Sequence, residues 1–417
     1  MREPEPIFCE ELPGVRRTLR IAVVTETWPP EVNGVAASAA RFVEGLRERG
    51  HQIQLVRPRQ KNDLVEGSGD EVLVRGLAIP KYPALRMGLP ARRALERLWT
   101  LRRPDVVHVV TEGPLGWSAL QAAQKLKLAA VSDFRTNFHA YTQHYGVGWL
   151  KAPIVAYLRK FHNRTLFTFV PSETVRAELA GLGVRGLRVI ARGVDTRLFD
   201  PARRDVRLRA SWGAGHDDPV CLYVGRLAAE KNLECLAASW LAVKARMPNA
   251  RLVLVGDGPE RGVLKARFPE AIFAGTRRGE DLAAHFASGD LFLFPSLTET
   301  FGNVTLEAMA SGLAVVAFGY AAAGEVIRHG ASGLLAPYGD GESFVRQAAI
   351  LAGSLARARA MGALAREEAA GRGWGKVVQQ LEAALLIAAD SGATAAHAPS
   401  RIGARGTWGW KPIREQR

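Results

Sequence analysis

A chain of 417 residues, 47% apolar and 8% aromatic, is too long for one ordinary hydrophobic core and suits two α/β domains of roughly 100–200 residues each. The formal net charge of +15 is concentrated early, with 30 Lys and Arg against 20 Asp and Glu over residues 1–200; no stretch approaches the roughly 18 uninterrupted apolar residues of a membrane span, and the acidic, proline-bearing start is unlike a signal peptide. Three cysteines, Cys9, Cys221 and Cys235, lack metal-ligand spacing and suit a reducing, cytoplasmic setting.

Short β-branched runs alternate with helical patterns, the signature of parallel βαβ units. In the first half, strands are predicted at residues 20–26, 52–57, 72–79, 106–111, 129–134 and 166–171, with helices at 36–49, 154–163 and 172–182. The first helix places Phe42, Val43 and Leu46 on one face and ends at Gly50, a suitable C-cap. The rhythm restarts with strands at 220–224, 251–255, 271–274, 291–294 and 313–318. The polar, Pro/Gly-containing segment 199–218 between the halves reads as a linker, which divides the chain into domains at 18–198 and 199–373. The Ala/Gly/Arg-rich end, 391–417, reads as a disordered tail.

The chemistry sits at strand ends. The first strand runs into TWPPEVNGVAASAARF, where Gly34 just before a helix allows backbone N–H groups to approach a diphosphate. Residues 81–110 carry Lys81, Arg86, Arg92, Arg93, Arg97, Arg102 and Arg103 interleaved with Leu85, Met87, Leu89, Leu95, Leu98, Trp99 and Leu101, the pattern of a basic amphipathic helix. Such a helix lies on an anionic bilayer, with about 1 kcal/mol from each basic residue, or is a solvated basic face over an ordinary core stripe. No nucleic-acid-binding module accompanies it. Segment RTNFHAYTQHY after the strand at 129–134 offers His139 and His144.

In the second half, YVGRLAAEKNL places Gly225, Arg226 and Lys231 around one loop, where an Arg fork and a Lys point charge neutralise a leaving diphosphate without a metal. VLVGDGP contains the tight turn Gly256-Asp257-Gly258, and GTRR, with Thr276 and Arg277, ends another strand. SLTETFGNVTLEAMASG follows a strand and opens a helix, with Glu299 in the loop and Glu307 about one turn into the helix. Carboxylates outside the carboxyl ends of a parallel sheet are placed to accept from sugar hydroxyls; the pair by itself reads equally as a helix cap and a surface acid.

These strings, above all Glu299 to Glu307, resemble the signature of the retaining group 1 glycosyltransferases, family 4 of the sequence classification. The resemblance spans about residues 20–340 and continues weakly into 374–389. It implies the α/β fold called GT-B, two Rossmann-like doubly wound parallel-sheet domains facing across a cleft, with residues 374–390 crossing back to the first domain as a helix. It further implies that Glu299 holds the donor hexose, that Phe301, Gly302, Asn303 and Val304 line it, and that Glu307 binds the nucleotide ribose. Arg226 and Lys231 beside Gly225 take the pyrophosphate, the loops of Gly256, Gly258, Thr276 and Arg277 face the base, and Gly34 approaches from the opposite domain.

His139 resembles the histidine beside the anomeric centre, completing an implied catalytic set of His139, Glu299, Arg226 and Lys231. No metal and no cofactor are implied, the nucleotide diphosphate sugar being a substrate. The chain resembles members that use GDP-mannose or a UDP-hexose to glycosylate membrane lipids. The expectation is therefore a retaining α-hexosyltransferase acting on diacylglycerol or a phosphoinositide-like lipid at the inner face of an anionic membrane, with no nucleic-acid partner. A soluble or polysaccharide acceptor and a GT-B-type sugar-nucleotide epimerase are the alternatives.

Overall fold

The computed structural model describes residues 17–31, 33–60, 63, 70–79, 82–135 and 151–397. Cys9, Lys81, His139, His144 and residues 398–417 lie outside the described residues.

The first lobe runs β1 (Arg20–Val24), α1 (Gly34–Glu48), β2 (Gln52–Pro58), β3 (Glu71–Val74), β4 (Gly76–Ile79), β5 (Tyr82–Gly88), α2 (Arg92–Leu101) and β6 (Val106–Val109). It continues with α3 (Pro114–Lys125), β7 (Ala129–Asp133), α4 (Lys151–His162), β8 (Phe167–Val170), α5 (Glu173–Gly181) and β9 (Leu187–Val189). Its parallel sheet has the order β3-β2-β1-β6-β7-β8-β9.

The second lobe runs α6 (Val206–Ser211), β10 (Val220–Val224), α7 (Leu233–Arg246), β11 (Arg251–Val255), α8 (Arg261–Arg267), β12 (Ile272–Gly275), α9 (Gly279–Ala287) and β13 (Leu291–Phe294). Then come α10 (Asn303–Ala310), β14 (Ala314–Phe318), α11 (Ala321–Val326), β15 (Gly333–Ala336), α12 (Gly341–Ala352) and α13 (Leu355–Ala370), before α14 (Trp374–His397) closes the described chain. This sheet is also parallel, in the order β12-β11-β10-β13-β14-β15. Its central strands are continuous apolar runs, VCLYV in β10 and AVVAF in β14, buried at every position because helices cover both faces.

Strand order reverses beside β1 in one lobe and beside β10 in the other. In open α/β sheets ligands enter at such reversals, outside the strand carboxyl ends, so the fold nominates the loops after β1, β6, β10 and β13.

Two expectations change. The strand predicted at 72–79 is two strands: β3 joins the parallel sheet, whereas β4 turns away to pair antiparallel with β5. Gly76 sits at the break, where a β-carbon would lie 2.8 Å from that of Pro58. The basic segment 81–110 is not one helix either. Its first part is β5, Leu89 and Pro90 interrupt the pattern, and only α2 is helical before β6 begins.

In α2 the apolar stripe is already used: Leu95 and Trp99 are buried against α3, and the Trp99 indole donates to Gln54. Arg92, Arg93 and Arg97 on α2 and Arg102 and Arg103 just beyond its end are exposed, as is Leu101.

Helix α14 packs Val377, Val378, Leu381, Leu385 and Ala388 into the first-lobe core with Ile21, Phe42 and Leu46. Buried Glu382 there accepts from Arg49 and lies 3.0 Å from His51 Nε2. The helix extends to His397, past Ser391, where the tail is predicted to begin. Segment 199–218 is firmly docked on the second lobe: Arg204 and Arg209 both hold buried Asp290, and Arg366 holds Asp200. The two chain crossings run side by side, with the Val194 N–H donating to the Arg372 carbonyl. Among the described residues no single helix is long and apolar enough to cross a membrane.

Candidate active site

The loop after β13 carries Glu299 and turns into α10 through Gly302, whose φ of +90° lies in the left-handed region that favours glycine. With Gly302 at the N-cap, no side chain caps the helix, which leaves first-turn N–H groups of α10 open to a ligand. Glu299 pairs with Lys231 Nζ at 2.5 Å and accepts from Ser296 Oγ at 2.7 Å. Burial raises its carboxyl, but the Lys231 charge and these two hydrogen bonds outweigh that and hold it below the usual carboxylate range. Both side chains of the pair are more than four-fifths buried, so neither is screened as a surface pair is.

Lys231 lies in a 3-10 turn, Ala229–Lys231, and α7 starts two residues later. The turn is tied to the Glu299 loop a second time, by Thr298 Oγ1 donating to the Glu230 carbonyl at 3.1 Å. Arg226, at the other end of the β10 loop, is partly exposed and reaches Glu230 at 3.4 Å. Because β10 and β13 are neighbours, Arg226, Lys231 and Glu299 share one edge of the sheet at the strand-order reversal.

Glu307, one turn into α10, has its carboxyl pushed up to about 7 by burial. From the first lobe, Gly34 begins α1 within reach: a β-carbon there would lie 3.6 Å from Asn303 Nδ2, at the start of α10. Two helix N-termini therefore converge across the cleft, each favouring an anion. Asn33 caps α1 by accepting from the Ala36 N–H, which fixes where Gly34 stands. The lobes also touch through Thr300, whose hydroxyl donates to the Arg135 carbonyl and whose own carbonyl lies 3.5 Å from Ser172 Oγ.

Opposite, at the carboxyl ends of β1 and β6, Glu26 accepts from the Leu115 N–H at 2.7 Å, and burial pushes its carboxyl up to about 7. A β-carbon on Gly113 would strike that carboxylate at 2.0 Å. Tyr157 donates to the carbonyl of nearby Glu112, whose side chain is buried.

Comparison with known proteins decides the family. Residues 32–198 match the family model described as Glycosyltransferase Family 4, and residues 218–353 match that described as Glycosyl transferases group 1. A GDP-mannose-dependent alpha-mannosyltransferase of Corynebacterium glutamicum is 35% identical over 326 residues, covering 76% of this chain and 77% of that protein. The chain belongs to the group 1 glycosyltransferases of family 4.

An alpha-monoglucosyldiacylglycerol synthase of Acholeplasma laidlawii is 26% identical over 323 residues, 72% of this chain and 80% of that one. The sucrose-phosphate synthase of Thermosynechococcus elongatus superposes with a TM-score of 0.74 over 88% of this chain and 98% of its own, at 21% identity, and so shows the fold, GT-B.

Within this glycosyltransferase, the remaining sequence-nominated residues divide. Gly256 and Gly258 bring the β11 loop against the β10 loop: β-carbons there would lie 1.9 Å from the Gly225 carbonyl oxygen and 2.2 Å from that of Leu227. Gly225 is similarly confined by the Tyr223 hydroxyl. Arg277, next to Thr276 at the outer strand β12, donates to the Ala274 carbonyl and pairs with Asp281, contacts confined to its own end of the sheet. The Phe301 ring belongs to the second-lobe core, so only its backbone is available to a ligand; Asn303 and Val304 are half-buried in the first turn of α10. His139 lies outside the described residues.

Among the described residues no group of three or more His, Cys, Asp or Glu is placed to hold a metal ion. Sequence reasoning missed Ser296 and Tyr320. Ser296 stands inside the motif string and its spacing to Glu299 could have suggested the contact; Tyr320, 21 residues beyond Glu299, reaches the loop only because β13 and β14 are neighbours.

Proposed function

We propose that this α-glycosyltransferase is a retaining, metal-independent hexosyltransferase that moves mannose or glucose from GDP-mannose or a UDP-hexose to a membrane lipid, such as diacylglycerol or a phosphoinositide-like lipid. The observation that carries the donor site is the buried Lys231–Glu299 pair beside Arg226, at the uncapped start of α10, which the start of α1 approaches across one cleft. An arriving diphosphate competes for Lys231 and frees Glu299 to accept from the sugar hydroxyls, so one ion pair is exchanged for a phosphate contact and a sugar contact. Glu307 accepts from the ribose hydroxyls.

In the transfer step the bond from the anomeric carbon to the phosphate oxygen breaks and the acceptor hydroxyl bonds to the same face. The hydroxyl proton passes to the departing phosphate. Arg226, Lys231 and the N–H groups of α10 and α1 stabilise the charge that grows on the leaving diphosphate. His139 takes the place beside the anomeric centre on the strength of the motif alone.

The lipid acceptor is supported by the similarity to an alpha-monoglucosyldiacylglycerol synthase and by the basic residues exposed along α2 and just beyond it. Because Leu95 and Trp99 are spent in the core, the attraction to a bilayer is electrostatic rather than insertion of an apolar face. Thermal-shift screening against GDP-mannose, UDP-glucose, UDP-glucuronate and ADP-glucose identifies the donor. Flotation with anionic liposomes tests the surface: binding at low salt that is lost at roughly 0.5 M salt supports it, and no binding at low salt redirects the acceptor to a soluble sugar. An inverted anomeric product, or sugar isomerisation without any acceptor, overturns the transferase mechanism as written.

A further inference from the structure

We infer that Tyr320 is a positioning residue for Glu299, holding the four-residue loop that presents its carboxylate to the sugar; this rests on the reading of Glu299 as the sugar-holding group. One hydroxyl spans the loop. It accepts from the Glu299 N–H at 2.9 Å and donates to the Ser296 carbonyl at 2.9 Å, so both ends of the segment are fixed by a single atom. Ser296 Oγ completes the arrangement by donating to the Glu299 carboxylate.

A second tyrosine buttresses the first. Tyr338 donates to the Leu297 carbonyl at 2.9 Å, inside the same loop, and its ring meets that of Tyr320 edge to face at 4.8 Å between centroids. The backbone adds a third tie, the Ala322 N–H donating to the Phe301 carbonyl just before α10 begins. The chain reaches this geometry through Ala321, a non-glycine residue with φ of +49°. A left-handed conformation is costly for a residue with a β-carbon, and here it turns the extended Tyr320 directly into α11. The strain is thus kept at the foot of the Glu299 loop. Burial, with the Glu299 charge, pushes the Tyr320 phenol well above its ordinary value, which keeps its proton available for donation throughout the neutral range.

The role predicts a split between ligands. Both hydrogen bonds of the Tyr320 hydroxyl go to the loop that carries Glu299, so it matters for the sugar and not for the nucleotide. Tyr320→Phe in the full chain removes two hydrogen bonds and keeps the ring. The expected result is a fall of roughly tenfold or more in kcat/KM for the nucleotide sugar, with inhibition by the matching nucleoside diphosphate unchanged within about twofold and Tm unchanged within about 3 °C. Tyr338→Phe, at an exposed side chain that the fold does not depend on, shows a smaller loss in the same direction. Ala321→Gly keeps activity and raises Tm by relieving the strain.

Wild-type kcat/KM in Tyr320→Phe overturns the inference. So does an equal loss of sugar and diphosphate affinity accompanied by a large drop in Tm, which would mark general destabilisation. Glu299→Gln separates the two levels: if it loses transfer while Tyr320→Phe does not, only the positioning role fails, and if it retains full transfer, the reading of the loop itself fails.

Discussion

Glu307 is the side chain whose environment makes the sharpest claim about solution behaviour. Burial holds its carboxyl near 7, against 4.5 for an ordinary glutamate, so much of it is protonated at neutral pH before ligand arrives. In the proposed role, accepting from ribose hydroxyls favours the ionised form. Affinity for the nucleotide sugar, whose diphosphate does not titrate in this range, is therefore expected to weaken as pH falls through about 7 and to level off above it. Titration of Glu307→Gln should be flat across the same window. The linkage to stability has the opposite sense: the folded protein holds this proton more tightly than the unfolded chain. The group's contribution is thus full below about 4.5 and is lost as pH rises through about 7.

At this scale, Glu299, Glu307, Arg226 and Lys231 were legible as candidates because the strings that hold them resemble the family signature; three stand in strand-end loops and Glu307 one turn into the helix that follows. The Tyr320 contact was not, because nothing local in a sequence says which strand lies next to which.

Among elements, the strand-end loops of β10 and β11 are held together by glycines that serve packing before anything else. At Gly256 a β-carbon would lie 1.9 Å from the Gly225 carbonyl oxygen, with φ of +135°, whereas at Gly279 φ is +54° and no atom lies within 4 Å. Gly256→Ala should therefore cost more than about 3 kcal/mol and displace the loop that carries Arg226. Gly279→Ala should cost about 1 kcal/mol, the backbone conformation alone. Urea denaturation of the two variants measures the difference; equal midpoints would show that the contact at Gly256 relaxes freely.

The alternating βαβ rhythm was readable from β-branched runs, and so was the start of α10 beyond Gly302. The break between β3 and β4 was hidden because the residues on either side of Gly76 have the same strand-like composition, and the close approach of Gly76 to Pro58 is visible only in the fold. The outward face of α2 was likewise hidden, since an amphipathic pattern does not say whether its apolar side meets a core or a membrane.

For the whole molecule, the two lobes are joined more firmly than a linker suggests. Segment 199–218 is bolted to the second lobe through Asp290 and Asp200, so relative motion is left to the paired crossings at Val194 and Gly373. Gly193 has the Trp374 backbone 2.7 Å from where a β-carbon would go, which keeps the crossings in contact. Helix α14 belongs to the first-lobe core although it follows the second lobe in sequence. Ending the chain before Trp374 strips apolar cover from β1, β7 and α1, and should yield an aggregating first lobe with bis-ANS-binding surface; a monodisperse truncated protein with unchanged Tm would contradict that packing.

In the proposed function, the cations of the β10 loop and the helix starts around them receive one diphosphate. Calorimetric titration of the nucleoside diphosphate of the identified donor into the wild-type protein and into the Arg226→Ala, Lys231→Ala double variant tests it. Loss of two charge-assisted contacts predicts single-site binding in the wild type that weakens by roughly a hundredfold or more in the variant. Equal affinity in the two proteins would contradict the site.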